Sequence, residues 1–405
     1  MKKSGIFRRF FTLLLIPLLL IVPVTAGPGD DTQTSTGGTA EEPVFQIVPV
    51  SLEKDQIPAL SAILIDLDSR TVLYEKDADL RLPPASITKI MTMLLVIEAI
   101  KAGHISWEDQ VVASEHASRM GGSQIYLEAG EVMTVDELYK SVSIASANDA
   151  AVALAEHVSG SESVFVARMN ERAKELGMTN TVFKNASGLD DQGHESSARD
   201  VALMSAALAE HPEAFKYTTT WIDSVRNGEF GLTNTNKLVR SYKGITGLKT
   251  GSTGRAKYCV SATAERNGLR LAAVIMGSDT TAERFNAAAT LLDYGYATFE
   301  RVDLSEGVDV PDVKVKHGTV EKISPIPQGS VYSVIPKGAA DKLTKSLNIE
   351  PTYNAPLSKG DSLGSIEVKL DGKHVGRVPL VAGEDVPRLT FWKAFAWLLA
   401  AMRLF

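Results

Sequence analysis

Ser86 and Lys89, in the run Pro83-Pro84-Ala85-Ser86-Ile87-Thr88-Lys89, are the side chains of this sequence best suited to covalent chemistry. A serine hydroxyl is a poor nucleophile until its proton is removed, and a neutral lysine amine one turn along the same helix face can remove it. The two prolines cannot continue a helix, and the apolar run from Ile87 to Ile100 predicts a helix ending near Gly103. Ser86 is therefore expected at a helix N-terminus, where backbone N–H groups and the positive dipole end favour the oxyanion of an attacked carbonyl. Alone, the pair is a weak signal. A second Ser-x-x-Lys, Ser51-Leu-Glu-Lys54, lies in a segment with no helical pattern, and a capping serine beside a solvated lysine is the bland reading.

Positioning such a pair takes a scaffold, and the chain predicts one. Ala62–Asp66 and Thr71–Tyr74 read as two strands about a short turn, directly before the Ser86 helix. A capping box, Thr134-Val135-Asp136-Glu137, opens a helix toward Ile144. It stops at Ser146-Ala147-Asn148, and helices follow over Ala150–Val158, Glu162–Leu176 and Ala198–Ala209. Between the last two, the polar loop from Asn185 to Asp200 carries no role legible in its residues. From Thr218 to Trp221 the form is uncertain. Tyr258–Glu265 and Leu269–Met276 flank Asn267-Gly268, the best two-residue hairpin signal in the chain, so Lys249-Thr250-Gly251 is expected at or near the start of a sheet strand. Ala282–Tyr296 reads as a helix carrying Arg284 near its beginning.

The two ends differ from this middle. Met1-Lys2-Lys3, Arg8-Arg9, an apolar run from Phe10 to Val22 and Val24-Thr25-Ala26 describe a secretory signal peptide cleaved after Ala26. Cleavage leaves 379 residues and moves the formal charge from -7 to -11, which argues against nucleic acid as a partner. Residues 27–44 read as a flexible linker, with order beginning near Phe45. Beyond about Arg301 short alternating runs punctuated by Gly and Pro predict a separate small all-β domain, 301–388. In the tail, Phe391, Phe395, Leu398, Leu399, Met402 and Phe405 share one helical face with Lys393 opposite. Fifteen residues cannot span a bilayer, but they can lie in its surface, with Trp392 and Trp397 suited to the interface. The lone cysteine, Cys259, excludes an internal disulfide and reads as a packed side chain. Seven scattered histidines form no metal-binding spacing, so neither metal nor cofactor is expected.

Ser86-Ile-Thr-Lys89, Ser146-Ala-Asn148 and Lys249-Thr-Gly251, in that order, resemble the three signature motifs of the penicillin-binding protein and serine β-lactamase superfamily. The phrase Gly244-Ile-Thr-Gly-Leu-Lys-Thr-Gly251, the hairpin, the small β domain and the tail extend the resemblance to the low-molecular-mass D-alanyl-D-alanine carboxypeptidases. One departure is Ala147, where that family commonly has glycine. The resemblance implies an α+β fold, an antiparallel sheet covered by helices over residues 45–300, then the β domain and an amphipathic helix at 389–405. It implies a serine carboxypeptidase that removes the terminal D-alanine of peptidoglycan stem pentapeptides and is acylated by β-lactams at Ser86. Lys89 would be the base, with Lys249 lowering its pKa by like-charge repulsion. Ser146 would pass a proton to the leaving amine, and Asn148 would bind the peptide. The N–H groups of Ser86 and Ser252 would form the oxyanion hole. Thr250, next to Gly251, would hold the terminal carboxylate with Arg284. The protein is then expected on the outer face of the bacterial cytoplasmic membrane. A class A β-lactamase shares the nucleophile, its lysine and Lys-Thr-Gly but needs a Glu-x-x-Leu-Asn loop, and Glu229-Phe-Gly-Leu232-Thr233-Asn234 has one residue too many. A silent β-lactam sensor on the same scaffold would not need every catalytic side chain.

Overall fold

Strand β1, Ser61–Asp66, is buried at all six positions, so layers must cover both its faces. The computed structural model describes residues 52–402, and both layers are present in it. The expected signal peptide, the linker and the start of order near Phe45 lie outside the described residues, as do the side chains from Trp397 onward. β1 pairs with β2, Val72–Lys76, in a five-stranded antiparallel sheet that also holds β3 (Ile245–Thr253), β4 (Lys257–Arg266) and β5 (Leu269–Ser278). The order is β2-β1-β5-β4-β3, with β4 and β5 joined at Asn267-Gly268. β3 is thus an edge strand, and one side of its backbone is free of sheet partners.

On one face lie helices α1 (Lys89–Lys101), α2 (Val135–Ile144), α3 (Asn148–Ser159), α4 (Glu162–Glu175) and α5 (Ala198–Ala209). Ile63 and Ile65 of β1 belong to that larger core, whereas Ala62 and Leu64 pack on the other side with α6, Thr281–Thr298. Every α1 residue from Lys89 to Ile97 is buried, which makes α1 the central helix of the domain. α2 begins as its sequence predicts: Glu137 N–H donates to Thr134 Oγ1 at 3.2 Å, and Thr134 N–H donates to the Glu137 carboxylate at 3.2 Å. The stretch around Thr218, uncertain in the sequence, holds a short helix, Pro212–Thr218, with proline in its first turn, then a hairpin of Ile222–Val225 and Phe230–Thr233. Lys249 is not at the start of its strand but at the middle of β3. The turn-like Gly244 to Gly247 hid the pairing of Ile245, Gly247 and Leu248 that β4 imposes. Cys259 is buried, its thiol pushed up to about 11 by burial, as a packing residue should be.

An all-β domain follows. Phe299–Asp303 pairs with Tyr332–Pro336. A three-stranded sheet has β6 (Val313–Lys316) between β7 (Lys322–Ile323) and β8 (Thr352–Asn354). A four-stranded sheet runs Pro325–Pro327, Lys373–Ala382, Ser362–Leu370, Leu343–Ile349. Helix α7, Phe391–Met402, ends the described chain with Phe391, Trp392 and Phe395 exposed. No helix among the described residues is long and apolar enough to cross a membrane.

Candidate active site

Ser86 sits not in the α-helix but in a 3-10 turn, Ala85–Thr88, that leads into it. Ala85 adopts φ +49°, a left-handed conformation that alanine rarely takes, and Pro84 accepts from Ile87 N–H at 3.2 Å to close the turn. In a 3-10 turn residues i and i+3 eclipse, which sets Lys89 directly over Ser86. Lys89 Nζ lies 3.1 Å from Ser86 Oγ. The position of Nζ is fixed by two further acceptors, Asn148 Oδ1 at 2.6 Å and the Ser187 carbonyl at 2.5 Å. Lys89 is fully buried, and burial, reinforced by the charge of Lys249, holds its pKa well below the ordinary lysine value. Burial is the larger cause; like-charge repulsion, the one the sequence suggested, comes second.

Two loops complete this wall. Asn148 opens α3, donates through Nδ2 to Gly121 O at 2.6 Å and through its N–H to Ser123 O at 2.7 Å. The next residue, Asp149, is buried and accepts from Ile125 N–H and Leu127 N–H at 3.1 and 3.0 Å, pinning the same loop. Ser146, also buried, turns the chain between α2 and α3 with φ +63°. The loop from Asn185 contributes the Ser187 carbonyl and is tied to the Ser86 segment twice more. Thr92 Oγ1 donates to Ala186 O at 2.7 Å, and His194 meets Thr88 Oγ1 at 2.8 Å. Lys184 N–H donates to His194 Nδ1, so the ring proton is on Nε2, and burial lowers the His194 pKa to about 4.

The opposite wall is β3. Lys249 is 1 % exposed, and its Nζ donates to Thr250 O at 3.2 Å. Thr250 Oγ1 donates to Thr235 Oγ1 at 2.7 Å. Gly251 comes so near the Ser86 turn that a Cβ there would meet Pro84 O at 2.9 Å and Ser86 N at 3.0 Å. Ser252, the next residue, is exposed. Arg284 reaches β3 from α6, behind the strand, where Nη1 donates to Gly251 O at 3.0 Å and Cys259 O at 3.2 Å. The structure therefore brings all three motifs around one cleft, with Arg284 buttressing its β3 side through Nη1 while its buried Nε has no hydrogen-bond partner among the described residues.

Comparison with known proteins turns this geometry into a family. Residues 48–280 match the D-alanyl-D-alanine carboxypeptidase family of S11 peptidases, and residues 299–388 match the C-terminal domain of penicillin-binding protein 5. The D-alanyl-D-alanine carboxypeptidase DacF of Bacillus subtilis is 44% identical over 339 residues, which cover 82% of this chain and 87% of that protein. The chain belongs to the D-alanyl-D-alanine carboxypeptidase family. It is a serine-type D-Ala-D-Ala carboxypeptidase, and neither a β-lactamase nor a sensor is favoured. Among solved structures it is similar to penicillin binding protein 5 from Haemophilus influenzae, with a TM-score of 0.73 and 32% identity, covering 84% of this chain and 100% of that one. Penicillin-binding protein D2 from Listeria monocytogenes, in its ampicillin-bound form, is 34% identical with a TM-score of 0.55, over 59% of this chain and 98% of that one.

Several groups shaping the carboxypeptidase's cleft carry no signature in the sequence. Ser187 acts through a backbone carbonyl, which any residue supplies. Gly188 was part of an unassigned loop, yet a Cβ at this residue, whose φ is +84°, would fall 2.0 Å from Ala85 O. Gly188→Ala should therefore push the loop off the Ser86 turn and lower penicillin acylation at least tenfold, with a fall of about 2–4 kcal/mol in urea-unfolding stability. Asp149 was not singled out either, although an acid in the first turn of a helix is a signal the sequence carries.

Lys249 also predicts a stability effect. Burial, aided by Arg284, lowers its pKa to about 7. Between that value and the unfolded value near 10.5 the unfolded chain holds a proton that the folded one releases, so wild-type stability rises with pH across this window. Lys249→Met removes the ionisation and should raise the urea midpoint. The gain, at most about 5 kcal/mol, should be full below pH 7 and shrink toward pH 10.5 while activity is lost.

Proposed function

We propose that Ser86 is the acylated residue and Lys89 its base. The single observation that supports this most is a buried, depressed lysine amine 3.1 Å from the serine hydroxyl. Ser86 Oγ attacks the carbonyl carbon of the penultimate D-Ala while its proton passes to Lys89 Nζ. The oxyanion accepts hydrogen bonds from the N–H groups of Ser86 and Ser252, a pairing supported by the close approach of Gly251 to the Ser86 turn. Ser146 delivers its hydroxyl proton to the departing D-Ala nitrogen as the C–N bond breaks and takes a proton back from Lys89 Nζ, which becomes neutral again. Water then attacks the ester, giving a proton to Lys89, and that proton passes to Ser86 Oγ as the C–O bond breaks and the shortened peptide leaves as its carboxylate. Asn148 binds the peptide chain and holds Lys89. Lys249 keeps the Lys89 amine neutral, and Thr250 holds the terminal carboxylate, with Arg284 adding positive charge from behind Gly251.

The substrate in this reading is a peptidoglycan stem pentapeptide, and β-lactams compete as covalent inhibitors. The division into a catalytic domain at 45–300, a β-sandwich domain at 301–388 and an anchoring helix at 389–405 is part of the proposal. So are the signal peptide at 1–26, the linker at 27–44 and residence on the outer face of the cytoplasmic membrane. Exposed Phe391, Trp392 and Phe395 on α7 support the anchor. The test is mass spectrometry of muropeptides before and after incubation with the chain ending at Thr390. Conversion of pentapeptides to tetrapeptides with release of D-alanine is expected, and intact pentapeptides would refute the assignment.

A further inference from the structure

The β domain carries a charge arrangement that its own fold does not explain. In the three-stranded sheet, Val313, Val315 and Ile323 face inward and are buried. Lys314, Lys316 and Lys322 point the other way and are exposed. Lys314 and Lys322 are directly opposite each other on β6 and β7, a like-charge pair that destabilises a sheet. Among the described residues none of the three forms an ion pair. The outward side chains of β8 beside them are Thr352 and Asn354, both uncharged.

This face is also polarised along the strand. Its carboxylates, Asp312 and Glu350, precede β6 and β8, and Asp312 is engaged by Ser324 Oγ at 2.6 Å. The lysines occupy the end toward α7. Past Lys316 the chain meets the entry to that helix: Gly318 bridges to Arg388, Thr319 N–H donates to Pro387 O at 3.0 Å, and Leu389 N–H donates to His317 O at 2.7 Å. His317 and Arg388 are exposed at the junction, and the exposed carboxylates nearest to them in sequence are Glu321, at the turn into β7, and Glu384 and Asp385, before Arg388. The positive charge is thus next to the helix that presents Phe391 and Trp392 to solvent.

We propose that the Lys314/Lys316/Lys322 face is a second membrane contact, an electrostatic docking surface for anionic phospholipid headgroups beside α7. The inference rests on the anchoring role read for α7. An amphipathic helix binds a bilayer in proportion to its buried apolar area plus electrostatic attraction to anionic lipids, and an adjacent basic face adds to the second contribution. Phosphates brought to the lysines also relieve the Lys314–Lys322 repulsion. The contact orients the β domain with its β6 end toward the bilayer.

The test is co-sedimentation of the secreted full chain with phosphatidylcholine vesicles and with an equal mixture of phosphatidylcholine and phosphatidylglycerol. Binding to the mixed vesicles should be roughly thirtyfold stronger or more, and should fall as salt shortens the Debye length. K314Q/K316Q/K322Q should lose most of that gain, with penicillin acylation unchanged as the check on folding, and K314R/K316R/K322R should keep it. A glutamine variant that binds the mixed vesicles as tightly as wild type would overturn the proposal. The anchor reading is judged separately on neutral vesicles, where ending the chain at Thr390 should abolish binding. Unchanged neutral binding would sink that reading, while the lysine comparison on mixed vesicles still decides this one.

Discussion

Ser86→Ala should show no covalent labelling by a fluorescent penicillin and should release D-alanine at least about 10^4-fold more slowly than wild type. The change removes one oxygen at a half-buried position. Lys89 Nζ keeps Asn148 Oδ1 and the Ser187 carbonyl as partners, so the cleft retains its shape. The strained Ala85 turn is untouched, and thermal stability should stay within about 1 kcal/mol of wild type. Loss of labelling in a folded protein therefore reports chemistry. An adduct that survives in the variant would move the nucleophile elsewhere.

Lys89→Met is the second large effect. Methionine fills the same buried path without a basic nitrogen, so Ser86 has no group to receive its proton. The acylation rate constant should fall by about 10^2 to 10^4-fold, while non-covalent affinity for the drug changes little, because Thr250 and Asn148 remain. Asn148 Oδ1 and Ser187 O lose a donor, which costs stability, whereas removal of a buried ionisable group adds to it. A stopped-flow acylation series separates rate from affinity. A rate within tenfold of wild type would mean that some other base serves Ser86.

The contact between Ser86 and Lys89 was legible because it is local: three residues of spacing fix which side chains share a face, and prolines mark where the helical segment must start. The capping box at Thr134 and the Asn267-Gly268 hairpin were legible for the same reason. What escaped depends on distant chain. The 3-10 turn at Ser86 requires Ala85 at positive φ, a conformation that packing imposes and sequence disfavours. Lys249 took a central place in β3 because β4 pairs along the whole strand, overriding the turn-like glycines before it. The Ser187 carbonyl and the neutral His194 hold the site through backbone and burial, neither of which leaves a motif. Arg284 was found by position, but its bonds to Gly251 and Cys259 show it bracing β3 from the far side.

The most direct test of a neutral amine at residue 89 is the rate of Ser86 acylation by a β-lactam, measured against pH on the wild-type chain. Burial and Lys249 both lower the Lys89 pKa, so the base is available well below the pH at which a free lysine loses its proton. The expected profile inflects far below 10.5 and is flat through mildly alkaline pH. A rate that instead climbs tenfold per pH unit up to about 10 would show Lys89 still protonated, and would contradict its role as the base.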